Sequence, residues 1–384
     1  MRISVFLFLF TIGSMTVLGQ NFNRPVPSFF PEYEFQLYNN DFTNEYLATP
    51  LLIPPNNNRY KRSLVIFDSL GYVLWYANKT TSRYTDFKYH PTKKIFTFAE
   101  GDYFKVLDSN LVVVDSLKPL NGYTMDSHEF DITFDGNYLI SGKSDSIVDL
   151  SAHLFSGVRG SDTTHLVGFT IQEFDFNHNL LFDWDSNDHL DPLESYDEIY
   201  GYDSAGFDYC HGNSIEKDMD GNYLVSMRHT NSIFKIDRNN GNIIWKLGGK
   251  ASSFQFINDS GFSGQHDFRR LSNGNVSLFD NANAASNPKI TRAIEYRLDT
   301  INWAAEKIWD YKYEPAFFAR AMGNFQTFGA GYHTIGYGLT YRPSPSFIVI
   351  DGKDSLVSEL FFKDSVVNYR ANSYDLDFKW ERPQ

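Results

Sequence analysis

One small device recurs six times along this chain. An aspartate ends a hydrophobic run, a short turn follows, and a second hydrophobic run, often carrying tryptophan, comes next. Phe67-Asp68 leads to Leu74-Trp75, Leu107-Asp108 to Val112-Val113-Val114, and Phe174-Asp175 to Leu181-Phe182-Asp183-Trp184. Ile236-Asp237 leads to Ile243-Ile244-Trp245, Leu298-Asp299 to Ile308-Trp309, and Ile350-Asp351 to Leu360-Phe361-Phe362. Successive aspartates stand 40, 67, 62, 62 and 52 residues apart, room for one four-stranded sheet each with its loops. Self-similarity on that scale marks radial repetition of small sheets, so the expected fold is all-β, a six-bladed β-propeller. Residues are 17% aromatic, glycine totals 26, and long helical periodicity is scarce, all in keeping with short strands joined by tight turns. A sandwich or a pair of barrels is the other all-β arrangement, but six marked units favour the ring.

Residues 1–19 read as a leader outside that ring. Arg2 supplies a positive start, Val5 to Phe10 is apolar, and Val17-Leu18-Gly19 precedes Gln20 with residues tolerated at a cleavage site. Thr11, Gly13, Ser14 and Thr16 break the apolar run, which argues against a membrane anchor, and no membrane span is expected elsewhere. The expectation is secretion, to the periplasm or the cell exterior, of one propeller domain over 20–384. Without Arg2 the formal charge moves from −13 to −14, which argues against nucleic acid and anionic membranes as partners. Cys210 is the only cysteine, so no intramolecular disulfide forms. A Cys210-His211 nucleophilic pair is disfavoured because neighbours along a strand face opposite ways, which leaves Cys210 as a buried thiol.

The strongest hint of chemistry is a second repeat. His128 precedes Asp135-Gly136-Asn137, His211 precedes Asp220-Gly221-Asn222, and His266 precedes Asn273-Gly274-Asn275, with offsets of 8, 10 and 8 residues to the glycine. Such pairs join two strands, so a histidine recurs at nearly one place in the blade, and blades converging on an axis bring the imidazoles together. The densest segment runs from Tyr209 to His229. Alternation puts His211 and Asn213 on one face. A hairpin turned at Asp218 to Gly221 sets Arg228 opposite His211. His, Asn and Arg on one patch suit an oxyanion such as sulfate or phosphate. The plain alternative is a set of exposed strand polars, and for His189, His229 and His333 a structural role is the preferred reading.

These residues also resemble a known family. His211-Gly212-Asn213-Ser214, the run Asp220 to Arg228, Gly241 to Lys250 with its Lys246-Leu247-Gly248-Gly249 core, Gln265-His266-Asp267-Phe268-Arg269 and Ser277-Leu278-Phe279-Asp280-Asn281 together resemble the arylsulfotransferases. Asp183-Trp184-Asp185-Ser186 with Asp188-His189, and Tyr369-Arg370, look like further motifs of that family, in a branch carrying Gln-His-Asp. The resemblance implies a six-bladed propeller with its site at the central channel. It implies transfer of a sulfuryl group from a small aryl sulfate to a phenolic acceptor with no nucleotide donor and no cofactor. It places the nucleophile, sulfated in passing, at His266, with His211, Asn213, Arg228 and His128 around the sulfuryl oxygens. The family's better-studied periplasmic members carry a separate N-terminal β-domain, whereas here Tyr46-Leu47 and Leu51-Leu52-Ile53 are expected to form an early propeller strand closing the ring against the C-terminus.

Independently of the family, a neutral imidazole is a competent nucleophile near neutral pH and a good leaving group once protonated. Two other functions fit the same residues. Three axial histidines suit a transition metal in a lyase or oxygenase, although Arg228 beside His211 opposes a bound cation and no metal is expected. A secreted propeller that only binds a sulfated glycan or a protein would keep the same blades.

Overall fold

The computed structural model describes residues 26–39, 42, 45–54, 57, 59–79, 84–285, 287–329 and 331–375. The leader expected over 1–19 lies outside the described residues. Antiparallel sheets succeed one another along the chain as six blades. Blade 2 is Tyr84–His90, Ile95–Glu100, Tyr103–Leu107 and Val113–Leu117; blade 3 is Thr124–Ile132, Tyr138–Val148, Thr164–Phe174 and Leu180–Asp185. Blade 4 is Gly212–Lys217, Tyr223–Met227, Ser232–Ile236 and Ile243–Gly248. Blade 5 is His266–Arg270, Val276–Asp280, Arg292–Asp299 and Ala304–Tyr311, with Gln255–Ile257 added in parallel outside. Blade 6 is Asn324–Phe328, Tyr332–Gly336, Phe347–Ile350 and Leu356–Phe362, to which Tyr33–Leu37 adds an outer strand.

Blade 1 is made from both ends of the chain. Glu45–Leu52, Arg62–Asp68 and Val73–Lys79 come from the N-terminal side, and Val367–Asn368 with Asn372–Asp375 pair against Glu45–Leu52 as the innermost strand. The expected closure is therefore observed, with the early strand ending at Leu52, one residue short of Ile53.

The six aspartates mark one position in every blade, the turn between its third and fourth strands. In five of the six, Oδ1 of the aspartate accepts two backbone N–H groups: Leu70 and Tyr72 on Asp68, Asn110 and Val112 on Asp108, Asn177 and Asn179 on Asp175, Ile301 and Asn302 on Asp299, Lys353 and Ser355 on Asp351. Asp237 accepts Asn239 N–H in the same way. A short carboxylate bonding its own backbone two residues on is what makes aspartate a turn residue, so the repeat is chemistry of the turn itself. The Asp-Gly and Asn-Gly pairs join first to second strands, with Gly136, Gly221 and Gly274 at φ of 91°, 85° and 86°, a region that only glycine enters without strain.

Both faces of each blade are covered, so alternate residues of one strand feed different cores. Tyr223 and Val225 pack with Leu139, Ile171 and Trp184 of blade 3, while Leu224 between them packs with Phe268, Leu278 and Ile294 of blade 5. An equivalent cluster fills each of the other four blade interfaces. This is why the strands read as nearly continuous apolar runs.

Candidate active site

Every inner strand of blades 2 to 5 carries a bulge near the same height. The pairing slips between Thr85 and Lys88, across Asp126 to Glu129, between Gly212 and Ser214, and between His266 and Arg269. Asp86 and Asp267 sit within these slips and His211 two residues before the bulged Asn213, with φ of 53°, 54° and 50°. A bulge adds one or more residues to the strand and re-aims the side chains around it. Above the bulges, His128, His211 and His266 face one cavity of about 830 Å³, together with Arg228.

The rings of His128 and His211 meet edge to face with centroids 5.0 Å apart. Each is held by a carboxylate behind it. Asp208 accepts from His211 Nδ1 at 2.6 Å and from its backbone N–H at 3.1 Å. Asp126 accepts the His128 backbone N–H at 2.9 Å and contacts its Nδ1. Burial works to raise both carboxyls, but the imidazoles beside them and Lys143 win and hold both below the usual range. The Nδ1 protons are thereby fixed, and each ring keeps its Nε2 for the cavity.

His266 is almost completely buried. Its Nδ1 lies 2.7 Å from Asn281 Oδ1 and 3.0 Å from Gly264 O, both acceptors, so the ring proton sits on Nδ1. Asn281 is itself oriented, because its Nδ2 donates to Ala319 O and Met322 O. Gly264 has φ of 65°, and a Cβ there would stand 2.2 Å from Asn283 Oδ1, so no larger residue fits beside the ring. On the other side Met322 N–H donates to His266 Nε2 at 3.1 Å. Burial, then the Arg228 charge, push the His266 pKa well below its ordinary value, so the ring is neutral with a lone pair on Nε2.

Arg228 follows the last residue of its strand, Met227, and its backbone N–H bonds His211 O at 3.0 Å, the pairing expected from the sequence. Its guanidinium stacks 4.6 Å over the Tyr200 ring, and Nη2 donates to Arg320 O at 3.0 Å. Nη1 lies 3.0 Å from His229 Nε2, and the buried Nε has no partner among the described residues. Arg62, Lys289 and Arg320 complete the charged wall; no carboxylate lines this cavity, and none lies within 4 Å of these four cations among the described residues. Tyr200, Phe318, Tyr341 and Tyr369 supply aromatic surface. In a chain of net charge −13, such a cavity suits an anion with an aromatic body.

Two expectations need correction. Asn213 is not on the wall with His211: it is the bulged residue, completely buried, its Nδ2 donating to Gln265 O at 2.8 Å. Simple alternation fails there because the strand slips by one residue. His229, expected to be structural, lines the cavity and stacks on His211 at 4.5 Å and on Tyr200 at 4.3 Å. The chain leaves the strand after Met227 and turns, so Arg228 and its neighbour both reach the site. His189 and His333 lie away from it, against Trp184 and Trp309. Cys210 is fully buried, its thiol pushed up to about 12 chiefly by burial, which suits an inert core residue.

Asp126, Asp208 and Asn281 were not singled out by role, although Asp126-Ser127-His128 and Asp208-Tyr209-Cys210-His211 hold the signal of a carboxylate just before each histidine. The Gln-His-Asp flanks also find an account. Gln265 Nε2 donates to Met227 O and Ser232 O at 3.1 Å, tying blade 5 to blade 4, and Asp267 turns down the channel to Arg269 and Arg370.

Asp208, His211 and His229 bring ligand atoms within 4.8 Å of one another, enough to raise the question of a metal. The donor set fits poorly. His229 Nδ1 bonds Asp208 O, its Nε2 accepts from Arg228, and the guanidinium would repel a cation placed there.

The arylsulfotransferase (ASST) family model matches residues 103–346. No curated protein matches the chain. Among solved structures, a protein of unknown function from Bacteroides caccae is similar at 12% identity over 86% of this chain and 98% of that one, with a TM-score of 0.54, a likeness of fold alone. A catalytically inactive virginiamycin B lyase from Staphylococcus aureus with quinupristin aligns at 10% identity over 86% and 99% of the two chains, but at a TM-score of 0.41 this carries no weight for the chemistry.

Proposed function

The chain belongs to the arylsulfotransferase family, and we propose that it moves a sulfuryl group from an aryl sulfate to a phenol by way of a sulfohistidine on His266, outside the cytoplasm and without a nucleotide donor. The observation that carries this reading is the state of His266: a neutral ring, its Nδ1–H pinned by Asn281 and Gly264, its Nε2 accepting from Met322 N–H at the wall of a cavity whose charged side chains, among the described residues, are all cationic.

In the first displacement the Nε2 lone pair forms the N–S bond while the aryl O–S bond breaks and its electrons leave on the phenolate oxygen. The ring becomes positive, and Asn281 Oδ1 and Gly264 O stabilise it through the Nδ1 proton. Arg228 offsets charge on the non-bridging oxygens. His128 and His211, whose Nδ1 atoms are held by Asp126 and Asp208, present Nε2 to deliver a proton to the departing phenolate and to take one from the incoming phenol. The second displacement forms the acceptor O–S bond and returns the N–S pair to Nε2. Met322 N–H donates to that lone pair at 3.1 Å, so attack on sulfur requires this hydrogen bond to break.

Incubation with 4-nitrophenyl sulfate alone should leave one sulfuryl group on the peptide containing His266, discharged by added phenol, with ping-pong kinetics. His266→Ala should lose both label and turnover. Turnover by that variant without a labelled intermediate would overturn the reading, and colour release independent of phenol would make the protein a hydrolase.

A further inference from the structure

The cavity holds more positive charge than one sulfuryl group needs. A sulfate monoester brings a single negative charge, for which Arg228 and the histidines suffice. Three further cations line the same cavity. Arg62 stands on blade 1, and Lys289 and Arg320 stand together on the loops of blades 5 and 6. Their positions are built. Arg320 O accepts from both Arg228 Nη2 at 3.0 Å and Asn283 Nδ2 at 3.1 Å, which anchors its backbone directly beside the guanidinium of the first site. Lys289 Nζ donates to Asn283 O and lies 5.5 Å from the centroid of the Phe318 ring. Phe318 and Tyr341 expose ring surface at the same rim, 38% and 51% of each residue being accessible. Like charges gathered on a concave wall repel one another, and with no carboxylate on the wall among the described residues a bound anion relieves that repulsion. At about 830 Å³ the cavity also lies near the upper end of the range for small-molecule sites, well beyond a phenyl sulfate.

We propose that the substrates are aromatic acids: the ring that gives or receives the sulfuryl group carries a second anionic substituent, a carboxylate or another sulfate, which Lys289 and Arg320 hold while Phe318 and Tyr341 cover the ring. This deepens the transfer reading and rests on it for the words donor and acceptor, but not for the binding chemistry.

The test uses the full-length protein at low ionic strength, where such pairs are least screened. With 4-nitrophenyl sulfate as donor, kcat/KM for 4-hydroxyphenylacetate should exceed that for phenol by about ten- to a hundredfold, the range for a hydrogen bond to a charged group, and tyramine should fall below phenol. In Lys289→Gln/Arg320→Gln the ratio of 4-hydroxyphenylacetate to phenol should collapse to within about threefold of unity, because the lost contacts are those charge-assisted ones. Equilibrium binding supplies an arm free of catalysis: benzene-1,4-disulfonate should bind about tenfold or more tightly than benzenesulfonate, and the double variant should lose that advantage. Transfer with no preference for the acid, or a preference that survives the double variant, overturns the proposal and leaves the transfer reading standing. Absence of transfer to every acceptor, with the disulfonate advantage present and lost in the variant, overturns the transfer reading and keeps the second anion site. Equal binding of the two sulfonates overturns the site whatever the kinetics.

Discussion

From the bulges downward, Lys88, Arg269 and Arg370 interleave with Asp86, Glu129 and Asp267. Arg370 lies 2.6 Å from Asp86, 2.9 Å from Glu129 and 3.4 Å from Asp267, and Arg269 lies 2.7 Å from both Glu129 and Asp267. Above the bulges Arg62, Arg228, Lys289 and Arg320 meet no such partner among the described residues, and Asp126 and Asp208 stand behind histidines. Cations and carboxylates thus occur at both levels of one channel. In the lower level they neutralise each other and close it; in the upper level the acids are turned away and the positive field is left for a ligand. Which of these a polar channel becomes depends on where the carboxylates point rather than on how many charges it holds.

The largest effect should come from breaking the lower network. Arg370→Ala leaves Asp86, Glu129 and Asp267 buried and short of a cation, and should cost about 3–5 kcal/mol of stability, read from urea unfolding. A loss under about 1 kcal/mol would mean that water or a shift of Lys88 compensates, and the contrast drawn above would fail.

Arg228→Ala should do the reverse. Stability should change by about 1 kcal/mol or less, since the guanidinium is held by one carbonyl, one imidazole and a ring face, whereas kcat should fall about a hundredfold or more in both half-reactions. Wild-type turnover in this variant would remove Arg228 from the chemistry.

The smallest expected effect is an invariance. Burial pushes His229 down to about 3 and His266 well below its ordinary value, so neither takes up a proton between pH 7 and 5 in the folded protein. In the unfolded chain both do, near 6.5, so the stability they contribute as neutral groups is present above that pH and is lost as pH falls below it. Glu216, pushed up by burial to about 8, titrates with the opposite sign, so melting curves mix the two. The ring signals of His229 and His266 in NMR isolate the point: both should remain those of neutral imidazole at pH 5. A cationic His266 at pH 6 would remove it as nucleophile.

What was legible in the sequence is what is decided locally. The six aspartates mark six blades because each closes a turn with its own side chain. The His211 to Arg228 pairing follows from one hairpin, and it holds even though the strands first pair one residue out of the expected register and regain it at the bulge, Lys217 facing Tyr223 and Gly212 facing Met227. That bulge is also why Asn213 faces away from the cavity, while His229 reaches it because the chain turns after Met227. Both placements are held by neighbours far away in sequence, the Gln265 carbonyl that accepts from Asn213 and the Asp208 carbonyl that accepts from His229. Asn281 and Met322 reach His266 across 15 and 56 residues, and no spacing rule announces such contacts.

Residues 370 and 371 touch every blade. Thr49 of blade 1 donates to Arg370 O, Asp86 and Glu129 of blades 2 and 3 take its Nη1, Asn213 O of blade 4 takes Nη2, Asp267 of blade 5 faces Nε, and Asn324 of blade 6 clasps the Ala371 backbone. The hub therefore lies far along the chain from the carboxylates it serves, 284 residues beyond Asp86. Until that segment has been synthesised, the nascent chain carries channel carboxylates without their guanidinium and a first blade without its inner strand. A chain cut before residue 370 would keep nearly all of the apolar clusters between blades and lose the keystone, a product for quality-control proteases to remove rather than a weaker enzyme.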